Sequence, residues 1–228
     1  MTKSSATLNP CATGLLGGTF DPVHIGHTAL AEAALAALSL DRVLFIPAGS
    51  PWQKHPVTDA RNREAMLKLA LTGSSHFAID TCEMMRSGET YTIDTLHEIR
   101  GREGHDASLT LILGADQWEN LPTWKHWKEF LSLVNIAVST RDGKTAKAPL
   151  DVTLWAERSI VAASDLRTHS HGVVSFFQTP PVRASSTKIR SILQSGNQNA
   201  PELRLWLQGN VLNYILEHNL YTKEIKKI

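Results

Sequence analysis

The chain has 228 residues, with 23 Lys+Arg against 22 Asp+Glu and a formal net charge of +1. That balance excludes nucleic acid or a membrane surface as partners recruited by bulk charge. Two cysteines, Cys11 and Cys82, without a C-x-x-C spacing exclude a disulfide framework and a zinc ribbon.

No apolar run approaches the roughly 18 residues of a membrane span. The first eleven residues are polar and carry no apolar core of a signal peptide, so a cytoplasmic location is expected. Residues 1–11 read as a flexible tail and residues 12–228 as a single domain, with 185–228 as its C-terminal helical part. A chain of this length buries about 70% of its unfolded surface. Association of identical chains is left open.

In chain order, residues 12–16 read as a short apolar strand and 27–38 as an Ala/Leu-rich helix. Residues 43–46 are a buried strand closed by Pro47-Ala48-Gly49. Residues 62–71 are a helix ended by Gly73, and 77–79 a short third strand. Residues 91–100 are a helix stopped at Gly101, and 109–113 a strand ending at Gly114. Residues 134–138 are another buried strand, 141–172 a loop with one helix, and 173–177 the last strand. Two helices close the chain, 186–194 and 201–217. Glu32, Arg63 and Glu64 read as solvated helix charges. Short apolar strands alternating with helices predict an α/β fold with a doubly wound parallel sheet covered on both faces. Ligands of such sheets bind beyond the carboxyl ends of the strands, at the topological switch point.

The densest chemistry lies between the first strand and the first helix, in Gly17-Gly18-Thr19-Phe20-Asp21-Pro22-Val23-His24-Ile25-Gly26-His27. Glycines let backbone approach a ligand closely. A helix start offers N–H groups and partial positive charge to an anion. His24 and His27, three apart, face one way on a first helical turn and can donate to phosphate oxygens as charge shifts between them. The segment also admits a plain turn with an incidental histidine pair. Neither GxxxxGK[ST] nor GxGxxG is present. A second cluster, Ser185-Ser186-Thr187-Lys188-Ile189-Arg190, opens a helix. Ser185 reads as its N-cap, and Arg190 can grip phosphate through two donors; a routine cap is the alternative.

GGTFDPVHIGH with the distal SSTKIR resembles the nucleotidyltransferase superfamily of the HxGH type, and within it the bacterial nicotinate-nucleotide adenylyltransferases. The resemblance runs from about Leu15 to Tyr221. It includes Ile46-Pro47, Arg63-Glu64-Ala65-Met66-Leu67-Lys68-Leu69-Ala70, Tyr91-Thr92, Leu113-Gly114-Ala115-Asp116 and Leu121-Pro122-Thr123-Trp124. Two departures stand out: Pro51-Trp52-Gln53-Lys54-His55 replaces a Pro-His-basic triplet, and Ala184 replaces an isoleucine.

The resemblance implies a Rossmann-like sheet and a direct transfer of adenylyl from ATP to nicotinate mononucleotide. The products are deamido-NAD and pyrophosphate, with no covalent enzyme intermediate. It implies His24, His27 and Arg190 as catalytic groups. Gly17, Gly18, Thr19, Phe20, Gly26, Lys54, Gly114, Asp116, Ser185 and Thr187 would bind ATP. Tyr91, Thr92, Trp124 and Arg141 would bind the acceptor, with Trp124 stacking on the pyridine ring. Mg²⁺ would be held mainly by ATP phosphates. Nicotinamide mononucleotide, phosphopantetheine or FMN as acceptor, CTP as donor, and a nucleotide-binding regulator without turnover stay open as alternatives. Comparing acceptors at equal concentration, CTP with ATP, and pyrophosphate release separates them.

Overall fold

The computed structural model describes residues 11–50, 58–140 and 146–222. Its elements, in chain order, are β1 (Thr13–Gly18), α1 (Ile25–Ala37), β2 (Arg42–Pro47), α2 (Ala60–Leu71), β3 (Phe77–Ile79), α3 (Thr92–Glu103), β4 (Leu109–Gly114), α4 (Ala115–Glu119), β5 (Asn135–Thr140), α5 (Leu150–Ala156), β6 (Val174–Gln178), α6 (Ser186–Gln194), α7 (Pro201–Trp206) and α8 (Gly209–Glu217). The six strands form one sheet in the order β3-β2-β1-β4-β5-β6, and every pairing is parallel. The expected α/β doubly wound architecture is present. Its switch point lies between β1 and β4, whose chains leave toward opposite edges.

Side chains alternate across the sheet, and the two faces bury separate cores. Leu16, Val43, Phe45, Ile112 and Ala137 face a layer holding α1, α2 and the C-terminal helices. Leu15, Leu44, Ile46, Leu111 and Ile136 face a layer holding α3 and the buried Trp118, Trp127 and Phe130. Gly14 sits in a tight part of this packing. A Cβ there would lie 2.8 Å from Ile112 Cδ1 and 2.9 Å from Leu40 Cδ1. Leu203, Leu207, Val211 and Ile215 of the C-terminal helices join the first layer.

Several predicted boundaries move, for local reasons. β1 runs on to Gly18 because Gly17 and Gly18 still pair with Ile46 and Pro47 of β2. α1 starts at Ile25, two residues before the predicted start, because His24 caps it. α3 passes through Gly101, an exposed position, and stops at Gly104, where φ is +88°. The predicted helix over 201–217 is two helices, α7 and α8. Leu207 between them turns extended (φ −113°, ψ 144°) and buries its side chain in the core. Between 146 and 172 the chain forms α5 and two 3₁₀ turns, Glu157–Ser159 and Ala163–Thr168.

Candidate active site

β1 delivers Gly17 and Gly18 to the switch point as strand residues, not as the turn the sequence suggested. The reversal comes next, at Phe20, which takes a left-handed φ of +50° despite its side chain. Its ring is 1% exposed and meets the His27 imidazole edge-on, at a centroid distance of 5.1 Å. Phe20 therefore supports His27 from beneath and offers little surface to a ligand.

Arg63 fixes the ends of β1 and β2 together. It is 1% exposed and donates to the carbonyls of Thr19 (3.0 Å), Ala48 (2.6 Å), Gly49 (3.0 Å) and Thr58 (2.9 Å). The sequence reading of Arg63 as a solvated charge is corrected. Four donor bonds from its guanidinium go to backbone carbonyls, three of them just past the ends of β1 and β2 and one just before α2. Burial lowers its pKa, opposed by the charges of Asp21, Asp59 and Glu83. The signal was in the spacing: Arg63 falls in line with the buried Met66, Leu67 and Ala70 of α2, in an i, i+3, i+4, i+7 stripe. Glu64, by contrast, pairs with Lys68 on the outer face.

His24 and His27 come together as a stacked pair, with ring centroids 3.8 Å apart and 25° between planes. Their roles at the helix start differ. His24 is the N-cap, and its Nδ1 accepts from the Gly26 N–H at 3.1 Å. His27 Nδ1 accepts from the His24 N–H, also at 3.1 Å. An imidazole that accepts at Nδ1 carries its proton on Nε2 when neutral, so both rings present Nε2–H as donor. Gly26 makes this geometry fit. A Cβ at 26 would lie 3.0 Å from the His24 ring.

The distal cluster arrives on α6. Ser185 occupies the N-cap position, but its hydroxyl makes no capping bond, contrary to the sequence expectation. Ser186 instead donates to the Pro22 carbonyl at 3.0 Å. Arg190 donates to the Asp21 carbonyl at 2.5 Å and reaches Thr187 Oγ1 at 3.5 Å. These bonds tie the start of α6 to the loop that carries the histidines.

A cleft of about 900 Å³ opens between these segments. Gly17, Gly18, Thr19, Phe20, Gly26, Gly114, Asp116, Ser185 and Thr187 line it, with His24, His27 and Arg190. At the far wall Gln117 accepts from the Gly114 N–H at 2.8 Å. Asp116 stands where a side chain at 114 would go, 2.7 Å from such a Cβ. A second, smaller cavity of about 150 Å³ lies on the other side of Gly17, Gly18 and Thr19. Glu83, Thr90, Thr92, Leu113 and Trp124 contribute to it. The two cavities share Gly17, Gly18, Thr19, Gln117 and Trp124. A Cβ on Gly17 would find nothing within 4 Å, so this residue keeps the junction open.

Trp124 is half-buried, with its ring against Phe130, while Trp118 and Trp127 are buried in the core. Thr92 begins α3 and lines the small cavity, whereas Tyr91, the N-cap residue, is not among the lining residues of either cavity. Its hydroxyl donates to Glu89, and Lys125 Nζ stands 4.3 Å from its ring centroid. Lys54 and Arg141 lie outside the described residues. Sequence reasoning missed Glu83, a carboxylate only 9% exposed in the small cavity. It accepts from Thr95 Oγ1 at 2.8 Å, and Thr95 Oγ1 in turn meets Arg86 Nη1 at 2.8 Å. It also missed Asp21, buried beside His24 in the chain, whose partners come from distant segments. Among the described residues, no group of three His, Cys, Asp or Glu side chains could hold a metal ion.

The model of the cytidylyltransferase-like family matches residues 15–192. A Bordetella avium protein named "Probable nicotinate-nucleotide adenylyltransferase" is 40% identical over 209 residues, covering 91% of this chain and 96% of that protein. A protein of the same name from Herminiimonas arsenicoxydans is 39% identical over 212 residues, covering 91% and 95%. The fold resembles that of Plasmodium falciparum nicotinic acid mononucleotide adenylyltransferase, solved in complex with NaAD. The TM-score is 0.70 at 16% identity, over 92% of this chain and 97% of that one.

Proposed function

The chain belongs to the nicotinate-nucleotide adenylyltransferase family, within the wider cytidylyltransferase-like family, and we propose that its two cavities divide one adenylyl transfer between them. ATP occupies the large cleft and nicotinate mononucleotide the small cavity, with the reacting phosphates meeting at Gly17, Gly18 and Thr19. The observation that carries this reading is the shared floor of the two cavities, with the stacked His24–His27 pair lining the cleft side.

A phosphate oxygen of nicotinate mononucleotide attacks the α-phosphorus of ATP. The bond from that phosphorus to the bridging oxygen of the β-phosphate breaks. Deamido-NAD forms and pyrophosphate leaves. Nothing in this step needs an enzyme nucleophile; positioning and charge stabilisation suffice. His24 and His27 donate from Nε2 to the α-phosphate oxygens and to the leaving pyrophosphate as negative charge builds there. Arg190, with Ser185 and Thr187, neutralises the triphosphate, and Lys54 adds to it. Asp116 sits where it can accept from the ATP ribose. Trp124 stacks on the pyridine ring. The start of α3 at Thr92 takes the nicotinate carboxylate, and Arg141 adds a cation near the acceptor. Mg²⁺ would be held mainly by the ATP phosphates and water, and would supply charge neutralisation there.

Pyrophosphate release from ATP, with each pyridine mononucleotide in turn, tests the assignment. Turnover with nicotinate mononucleotide supports it; release with neither acceptor sinks it. One feature favours a second acceptor. The Glu83 carboxylate in the small cavity suits an amide NH₂ better than a second carboxylate. Its Oε1 is already engaged by Thr95, which weakens that attraction. A cytoplasmic location belongs to the same reading. No helix among the described residues is long and apolar enough to cross a membrane.

A further inference from the structure

We propose that Tyr221, from the segment after α8, is a positioning residue that holds the catalytic loop in register through Asp21. Tyr221 lies two hundred residues from Asp21 in sequence, yet its hydroxyl donates to Asp21 Oδ1 at 2.7 Å. Asp21 is 4% exposed. Its other oxygen, Oδ2, accepts from the Thr58 N–H at 3.2 Å, so the tyrosine and one main-chain group satisfy the two carboxylate oxygens. The same short stretch is gripped from α6, by Arg190 on the Asp21 carbonyl and Ser186 on the Pro22 carbonyl. His24, the helix cap and one half of the stacked pair, follows Pro22 after a single residue. Movement at Asp21 therefore passes directly to the imidazoles and to Arg190.

Tyr221 itself, and Phe20, the residue before Asp21, adopt conformations that side chains disfavour. Phe20 has φ +50° and Tyr221 has φ +61°, each in the left-handed region. Such backbone persists only where surrounding contacts over-determine it. Here the Tyr221–Asp21 hydrogen bond ties Tyr221 to the residue that follows Phe20. Burial, then the Asp21 charge, pushes the Tyr221 hydroxyl strongly up, so it stays a donor across the working pH range. Leu220, its neighbour, packs against the apolar core and is not among the partners of Asp21.

The experiment compares Tyr221→Phe with Leu220→Ala in the full chain. Tyr221→Phe leaves a buried carboxylate oxygen without its donor. The expected result is a kcat lowered about tenfold, with KM for both substrates within about twofold, the scale of one lost hydrogen bond to a charged group. Amide exchange over residues 24–27 accelerates in the same variant. Leu220→Ala lowers the melting temperature as much or more, yet leaves kcat and that exchange at wild-type values. A Tyr221→Phe kcat within twofold of wild type overturns the proposal. So does a Leu220→Ala loss of kcat equal to that of Tyr221→Phe, since the segment then matters only for stability. The inference rests on the adenylyl-transfer reading. A wild-type chain that releases no pyrophosphate fails that reading, while the exchange comparison still decides whether Tyr221 holds the loop.

Discussion

The two cavities that meet at Gly17, Gly18 and Thr19 are built in different ways. The large cleft is walled by two helix starts, α1 and α6, and by the charged or donor groups they carry: His24, His27 and Arg190. The small cavity is walled by the ends of β2 and β4, the start of α3 and Trp124, and of its polar lining Glu83, Thr90 and Thr95 are buried. Charge grips work at a distance and tolerate imprecise fit, whereas a narrow cavity selects by shape and by unpaired hydrogen-bonding groups. Losses on the cleft side should therefore appear mainly in the chemical step or in ATP binding. Losses on the acceptor side should appear in the choice between acceptors.

The sharpest way to break that division is His27→Ala. Losing one transition-state donor lowers kcat by about 10²-fold or more. The same change removes the acceptor for the His24 N–H, a capping contact worth about 1 kcal/mol. For a chain of this size that lowers the melting temperature by only about 2–4 °C. Steady-state kinetics beside a melting curve separates the two. Turnover near wild type would remove the histidine pair from the mechanism. Arg190→Ala comes next. A lost charge-assisted contact to phosphate costs about tenfold or more in kcat/KM for ATP, with the KM for nicotinate mononucleotide nearly unchanged. An equal rise in both KM values would mean that Arg190 acts on the whole loop through the Asp21 carbonyl, and not on ATP.

The cleft was legible in the sequence because its parts are contiguous. Glycines, histidines and helix starts sit within two short runs, and periodicity alone placed the strands that deliver them. The small cavity was legible only in fragments. Thr92 and Trp124 were named, but Glu83 was not, since nothing local marks a carboxylate in a 3₁₀ turn, Cys82–Met85, as buried. Arg63 failed for a different reason. A charged residue on an amphipathic helix is usually solvated, and only the demand of four loop carbonyls overrides that rule. Tyr221 and Asp21 meet across nearly the whole chain, a pairing that no window of sequence contains. The break at Leu207 was hidden likewise, because the tertiary core and not local propensity sets it.

Acceptor choice is the next prediction, smaller in size and more informative about the small cavity. Nicotinate mononucleotide should be preferred over nicotinamide mononucleotide by well over tenfold in kcat/KM. The α3 start favours an anion by up to about 2 kcal/mol when partly buried, less than about 30-fold. Direct N–H bonds to the carboxylate supply the rest, because an amide would set donor against donor. Glu83→Gln sharpens this. It removes a like charge from the cavity while its side-chain oxygen can still accept from Thr95, so the ratio moves further toward nicotinate. An unchanged ratio would place Glu83 away from the pyridine ring. Equal kcat/KM for the two acceptors in the wild type would end the carboxylate reading.

The smallest expected effect is Trp124→Ala, and it tests whether shape and charge are separable within one cavity. Aromatic stacking contributes about 0.5–1.5 kcal/mol beyond simple burial, so the KM of each acceptor should rise about two- to tenfold. A stacked ring does not sense whether its partner carries a carboxylate or an amide, so the ratio between acceptors stays where it was. Stability should change little, because Trp124 is only half-buried and its ring meets Phe130 from one side. Trp118→Ala provides the contrast. That ring is 2% exposed in the second core layer, and deleting it costs about 3–5 kcal/mol of folding free energy. A Trp124→Ala protein that melts like Trp118→Ala would make Trp124 a core residue. One that changes the acceptor ratio would mean that the tryptophan orients the ring toward Thr92, joining the two modes of recognition that the cavity otherwise keeps apart.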